Sequence, residues 1–268
     1  MREVSEREFQ LPDAVIGKLL KVAARRKDVI SLGPGEPDFD TPKPILREAK
    51  KILKNYKKNK VTHYTQGKGI LELREEIVKK LKRDNKIRVS PEDISVGCGT
   101  QELIFTSFMA TLDPSEQVIL PDPGYLAYIP AIESLNGTPM HVRLKEENGF
   151  EVDPDDIKKQ VDKKKSRVIM LNTPSNPTGT VISKKVLEEI ADIAVENDLY
   201  IFSDEAYEQL VYDEHKHVSI GSLNGMKDYV LTFQTMSKSY AMCGFRLGYC
   251  AGPREIVDAL TKCKDYTS

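Results

Sequence analysis

Short apolar runs alternate along this chain with longer stretches in which apolar residues recur at helical spacing. The spacing predicts a helix from Ala14 through Arg26, then an extended run over 29–32. A second helix is expected over 44–53, with Thr41 as its cap and Pro42 in its first turn. Leu71, Leu73, Ile77, Val78 and Leu81 mark the apolar face of a third over 71–81. Ser90-Pro91-Glu92-Asp93 has the form of a capped turn feeding a strand. Strands at 94–96, 117–120, 167–171, 200–203 and 229–233 then interleave with helices over about 102–112, 126–135, 183–197 and 253–265. Such alternation predicts an α/β fold: a mostly parallel mixed sheet flanked by helices on both faces.

Composition narrows the partners more than the fold. A formal net charge of −1 over 268 residues gives no reason to expect nucleic acid. The lysine-dense stretches 54–60 and 158–165 are interrupted by other residues and read as solvated faces. Cys98, Cys243, Cys250 and Cys263 form no CxxC pair and suit a reducing compartment. The polar, acidic first residues lack a secretory pattern and no apolar window is long enough for a bilayer, so a cytoplasmic protein without a membrane partner is expected. His215 and His217, beside Asp213 and Glu214, read as surface residues of a charged loop, and no metal is expected. Glu36 and Asp38, set among prolines, read as a structured turn.

Function on a parallel sheet collects beyond the carboxyl ends of its strands. Gly97-Cys98-Gly99-Thr100 stands there after the first expected strand, Asp122 and Tyr125 after the second, and 172–179 after the third. Asp204 follows the fourth, and Thr235, Ser237 and Lys238 follow the fifth. The glycine turn opening a helix suits a phosphate, although such turns also hold glycine for packing alone. Glu102 occupies the third glycine position of a dinucleotide fingerprint, and no GxxxxGK[ST] loop exists, so nucleotide folds are disfavoured. Lys238 follows hydroxyl residues and precedes Arg246 by eight positions. A lysine in such company can hold an aldehyde as an imine. An aromatic-nitrogen cofactor also needs an acid at its ring nitrogen, and Asp204 is the candidate. Taken singly, a solvated lysine and a turn aspartate are the plainer readings of these two.

Together these residues resemble the class I, fold-type I pyridoxal-phosphate-dependent aminotransferases, in particular the aspartate and aromatic aminotransferase group. The resemblance runs from Leu32 to Gly252. It is carried by Gly33-Pro34-Gly35-Glu36-Pro37-Asp38-Phe39, His63-Tyr64-Thr65 through Glu72-Leu73-Arg74, the stretch 172–179, Asp204 to Tyr207, and Ser237 to Gly248. It implies pyridoxal 5'-phosphate as cofactor, with amino acid and 2-oxo acid substrates. Lys238 would hold the aldehyde and move the substrate proton, and Asp204 would pair with the ring nitrogen. Tyr207 and Asn176 would donate to the phenolic oxygen, and Tyr125 would stack on the ring. Gly99, Thr100, Thr235, Ser237 and Arg246 would surround the phosphate, with Tyr64 reaching that of a second subunit in a homodimer. Gly35 and Asn176 would face the substrate. Thr235 departs from the Ser or Gly usual in the family, yet keeps a hydroxyl.

The resemblance divides the chain into an N-terminal arm with part of a small domain, residues 1–40, and a cofactor-binding large domain, residues 41–268. Family members continue past the position of Ser268 to complete the small domain, which supplies an arginine for the substrate carboxylate. The expectation is therefore a fragment, or a chain completed by a separate segment, that retains the cofactor but transaminates poorly. Three alternatives stand beside it: a C–S lyase or synthase of the same fold, a non-catalytic truncated fragment, and, least favoured, an α/β dehydrogenase.

Overall fold

The computed structural model describes residues 35–267 continuously and, before them, residues 5, 17, 22, 23, 25, 26, 28–30 and 33. The helix expected from Ala14 to Arg26 and the extended run over 29–32 fall largely outside the described residues.

The chain enters through helix α1 (Lys43–Lys54), a single turn α2 (Tyr56–Asn59) and helix α3 (Leu71–Lys80). Thr41 does not cap α1: its hydroxyl donates to the Ala241 carbonyl at 2.5 Å, tying the entry segment to the loop after Lys238. α3 runs on into a π turn, Leu81–Asn85, which ends where Lys86 adopts a left-handed conformation. The capped turn at Ser90 is present, Asp93 accepting from both the amide and the hydroxyl of Ser90 at 2.8 Å.

Seven strands follow: β1 (Ile94–Gly97), β2 (Gln117–Asp122), β3 (Thr138–Arg143), β4 (Ser166–Asn172), β5 (Tyr200–Asp204), β6 (Val230–Thr235) and β7 (Gly248–Ala251). Their order across the sheet is β1-β7-β6-β5-β4-β2-β3. β3, β2, β4, β5 and β6 pair in parallel, while β7 runs antiparallel to both β6 and β1. β1 therefore shares the direction of the parallel strands, and its carboxyl end opens on the same rim. Helices α4 (Thr100–Thr111), α5 (Tyr128–Ser134), α6 (Pro154–Gln160), α7 (Lys184–Glu196), α8 (Met236–Ser239) and α9 (Arg254–Lys264) connect or follow them.

The central strands read as continuous apolar runs because both faces are covered. Side chains alternate between faces. Ile119, Ile169, Leu171 and Ile201 pack against Leu187, Ile190 and Ala194 of α7. Val118, Leu120, Val168, Met170, Phe202 and Phe233 pack against Leu103 and Phe108 of α4 and Ile256, Val257 and Leu260 of α9. Two strands and the short helices α2, α6 and α8 escape the sequence pattern. In β3, an edge strand containing Pro139, only Val142 is buried. β7 is short and buried throughout, so it shows no alternation. α6 is a short helix held by its cap, the Asp153 carboxylate accepting from the Asp155 amide at 2.9 Å.

Candidate active site

β5 and β6 are neighbours, so the residues at their carboxyl tips, Asp204 and the Thr235–Lys238 turn, come side by side. Asp204 is buried, and burial pushes its carboxyl up to about 6. Two donors pull the other way: the Tyr128 hydroxyl at 2.6 Å and the Ala206 amide at 3.1 Å. Sequence reasoning stopped at Tyr125 and missed Tyr128, one helical turn further on. The two rings meet edge to face with centroids 5.3 Å apart. The Tyr128 phenol is itself held well above its ordinary range by burial and by the neighbouring Asp204.

Asn172, register partner of Asp204, organises the next tip. Its amide donates to the Asp204 carbonyl at 3.0 Å, and its oxygen accepts from the Asn176 backbone at 2.6 Å. Asn176 in turn donates to the Tyr207 hydroxyl at 3.4 Å. Burial first, then the charge of Asp204, raises the Tyr207 phenol, and Asn176 opposes them. The Lys238 ammonium lies 5.8 Å from the centre of the Tyr207 ring and donates to the Gly35 carbonyl. Lys238, Tyr207, Asn176 and Gly35 thus form one continuous group.

The glycine turn lies at the other end of the rim. Gly99 has φ +84°, and a Cβ there would stand 2.7 Å from Nη2 of Arg246. Only glycine lets the guanidinium approach the turn this closely. The Glu102 carboxylate accepts from the Cys98 amide at 2.5 Å, and Gly99 donates to the Gly97 carbonyl at 2.8 Å. The first-turn amides of α4, from Thr100 onward, have no intrahelical acceptor and favour an anion beside Arg246. Thr235 serves first as the cap of α8, its hydroxyl accepting from the Ser237 amide at 3.1 Å. Ser237 is buried in the same turn. Tyr64 is fully exposed, on a loop that Arg74 pins through the Gly69 carbonyl at 3.1 Å and the Gln66 side chain at 3.0 Å.

His217 is not a surface residue. Its side chain is 8 % exposed and lies 3.0 Å from the buried Glu205 carboxylate, because the loop after β5 folds back over the end of α3. Glu205, Glu208 and His217 each bring a ligand-type atom within 4.8 Å of the others, yet the cation already there is the Lys80 ammonium, paired with Glu208. Sequence reasoning assigned nothing to Glu205 or Glu208.

The family described as "Aminotransferase class I and II" matches residues 27–266. The chain belongs to the class I and II aminotransferases. A relative named aspartate aminotransferase from Pyrococcus abyssi is 43% identical over 266 residues, covering 99% of this chain and 67% of its own. A relative named aromatic-amino-acid aminotransferase 2 from Thermococcus litoralis is 42% identical over the same shares. Among solved structures, the aspartate aminotransferase of Thermus thermophilus with maleate superposes with a TM-score of 0.93 at 34% identity, covering 100% of this chain and 69% of that one. The chain spans about two thirds of the length of these aminotransferases.

Aminotransferases of this family work with pyridoxal phosphate, and the residues present fit that group. The close approach of Arg246 to Gly99 leaves a cradle that a single Cβ would fill. The buried Asp204 carboxyl, raised by its burial, suits a ring N–H. Lys238 stands at the tip of the strand beside it.

Proposed function

We propose that the protein moves an amino group between an amino acid and a 2-oxo acid on pyridoxal phosphate held by Lys238. The observation that carries this reading is the arrival of one amine and one buried acid at the tips of adjacent strands, with an arginine-lined glycine turn on the same rim. When bound, the cofactor supplies an electron-withdrawing ring that stabilises negative charge on the substrate carbon. Asp204 would accept the ring N–H and so keep the ring protonated, and a cation beside it would lower its own pKa. Tyr207 and Asn176 would donate to the phenolic oxygen, and Tyr125 would stack on the ring. Arg246, Gly99, Thr100, Thr235 and Ser237 would hold the phosphate. The Lys238 amine would take the proton from the substrate carbon and hold it for transfer. Gly35 and Asn176 border the substrate.

The relatives' names point to aspartate or an aromatic amino acid as donor. Exposed Ile52, Leu53, Tyr56, Val61 and Tyr64 cluster in the segment around α1 and α2, which supports a homodimer in which Tyr64 of each copy completes the other's phosphate site. Among the described residues no helix is long and apolar enough to cross a membrane, and with the unpaired cysteines this supports a cytoplasmic location.

Borohydride reduction of the protein with pyridoxal phosphate, followed by peptide mapping, tests the first step, and an unmodified Lys238 sinks the proposal. Conversion of aspartate or an aromatic amino acid should then require a 2-oxo acid acceptor. Release of ammonia without an acceptor would instead assign lyase chemistry.

A further inference from the structure

Tyr207 stands between two buried carboxylates that face away from the rim, Glu205 and Glu208. Glu205 accepts from Ser219 at 2.6 Å and from Ser203 at 3.1 Å, and His217 lies 3.0 Å away. Glu208 accepts from Asn85 at 2.6 Å and Gln234 at 2.7 Å and is paired with the Lys80 ammonium. Lys80 also donates to Asn85 at 2.8 Å and Gln234 at 2.6 Å, and Gln234 accepts from Tyr249. Asn85 closes the cluster by donating to Ser219 at 2.8 Å. The end of α3, its π turn, β5, β6, β7 and the 217–219 loop therefore meet behind the five residues 204–208, which carry the acid and the phenol of the rim. The side chains of Lys80, Glu208, His217 and Glu205 are 12 %, 6 %, 8 % and 0 % exposed, so these ties are shielded from water.

We infer that Lys80, acting through Glu208, is a positioning residue for the active site: it anchors the 204–208 segment from behind and thereby sets where Tyr207 and Asp204 point. The inference rests on the proposed cofactor-facing roles of those two residues. Asp204 ends β5 and is held by its strand pairing and by Tyr128, but beyond it the segment turns away from the sheet at 206–209. There its backbone is fixed by few bonds, Glu205 to Phe233 at 2.9 Å, Glu208 to Glu205 at 3.1 Å and Leu210 to Tyr207 at 2.7 Å, so the side-chain ties of Glu205 and Glu208 carry much of its position. A buried, paired and fully hydrogen-bonded cluster is stiff, and removing one charge frees what it held.

The test uses Lys80→Met, Lys80→Arg and the double variant Lys80→Met/Glu208→Gln. The double variant leaves no unpaired buried charge, so it folds even where the single one does not. Hydrogen exchange of the cofactor-free protein should quicken about tenfold or more in 204–210 in the double variant, with β2 and β4 unchanged. In the loaded protein, the pH midpoint of the cofactor's visible band should rise by about one unit as Tyr207 loses its grip on the phenolic oxygen. Lys80→Arg should restore both. Unchanged exchange in 204–210, or an increase spread evenly over the sheet, overturns the inference. Because the exchange arm needs no cofactor, it decides this point even if the protein takes up no pyridoxal phosphate, an outcome that would sink the proposed function separately.

Discussion

At Asp204, one carboxyl is taken out of water and given two hydrogen bonds. Burial outweighs the donors and lifts its pKa from 3.8 to about 6. A native state that binds the proton more tightly than the unfolded chain is stabilised by it fully below pH 3.8, and that stability drains away as pH rises through about 6. The cofactor-free protein should therefore lose stability across this window, whereas Asp204→Asn should not, as denaturant titrations at successive pH values would read. Tyr128→Phe removes the nearer donor, so the Asp204 midpoint should climb further and cofactor affinity should fall about tenfold by equilibrium dialysis. Arg246→Ala should weaken the cofactor more, by about a hundredfold, because it would delete the proposed charge-assisted pair to the phosphate. Asp204 and Lys238 drew notice in the sequence because each stands just past a recognisable strand, and Arg246 because it follows Lys238 by eight positions. Tyr128 did not, because helical position alone does not reveal which strand tip its hydroxyl will meet.

Among the elements, β7 and the glycine turn are fitted to one another. A Cβ on Gly248 would lie 2.7 Å from the Thr100 amide and 2.8 Å from the Gly99 carbonyl carbon, both of them backbone atoms unable to swing aside. Gly248→Ala should cost about 1–3 kcal/mol of stability by overpacking and loosen phosphate binding at the same time. Gly225→Ala makes the control: φ there is +82° but nothing lies within 4 Å, so only backbone strain of about 1 kcal/mol is expected and cofactor affinity should hold. Thermal melts with and without pyridoxal phosphate separate the two. β7 itself gave no sequence signal, since a four-residue strand buried on both faces shows no alternation. The long helices did, because an apolar stripe at 3.6-residue spacing is a local property. Thr41 shows the limit of a local rule, its hydroxyl spent on the Ala241 carbonyl two hundred positions away.

For the whole molecule, the sheet order decides the chemistry: β5 beside β6 brings acid to amine, and β7 against β1 and β6 brings Arg246 to Gly99. The exposed Tyr64 extends the argument to a second copy. Tyr64→Ala should leave the melting temperature unchanged while lowering activity, and mixing it with Lys238→Ala should raise activity above that of either variant alone.

Five of the seven strands, the longer helices and the residues at those strands' carboxyl tips followed from the amino-acid pattern because periodicity acts over a few neighbouring residues. Which tips adjoin, and which groups meet behind them, was decided only on folding. Lys80 and Glu208 are 128 positions apart, Tyr128 and Asp204 76, and His217, in a charged stretch that reads as surface, is drawn inside by a carboxylate that only the folded sheet places there. Burial turns such encounters into function, since the same charges in water would neither shift nor hold one another.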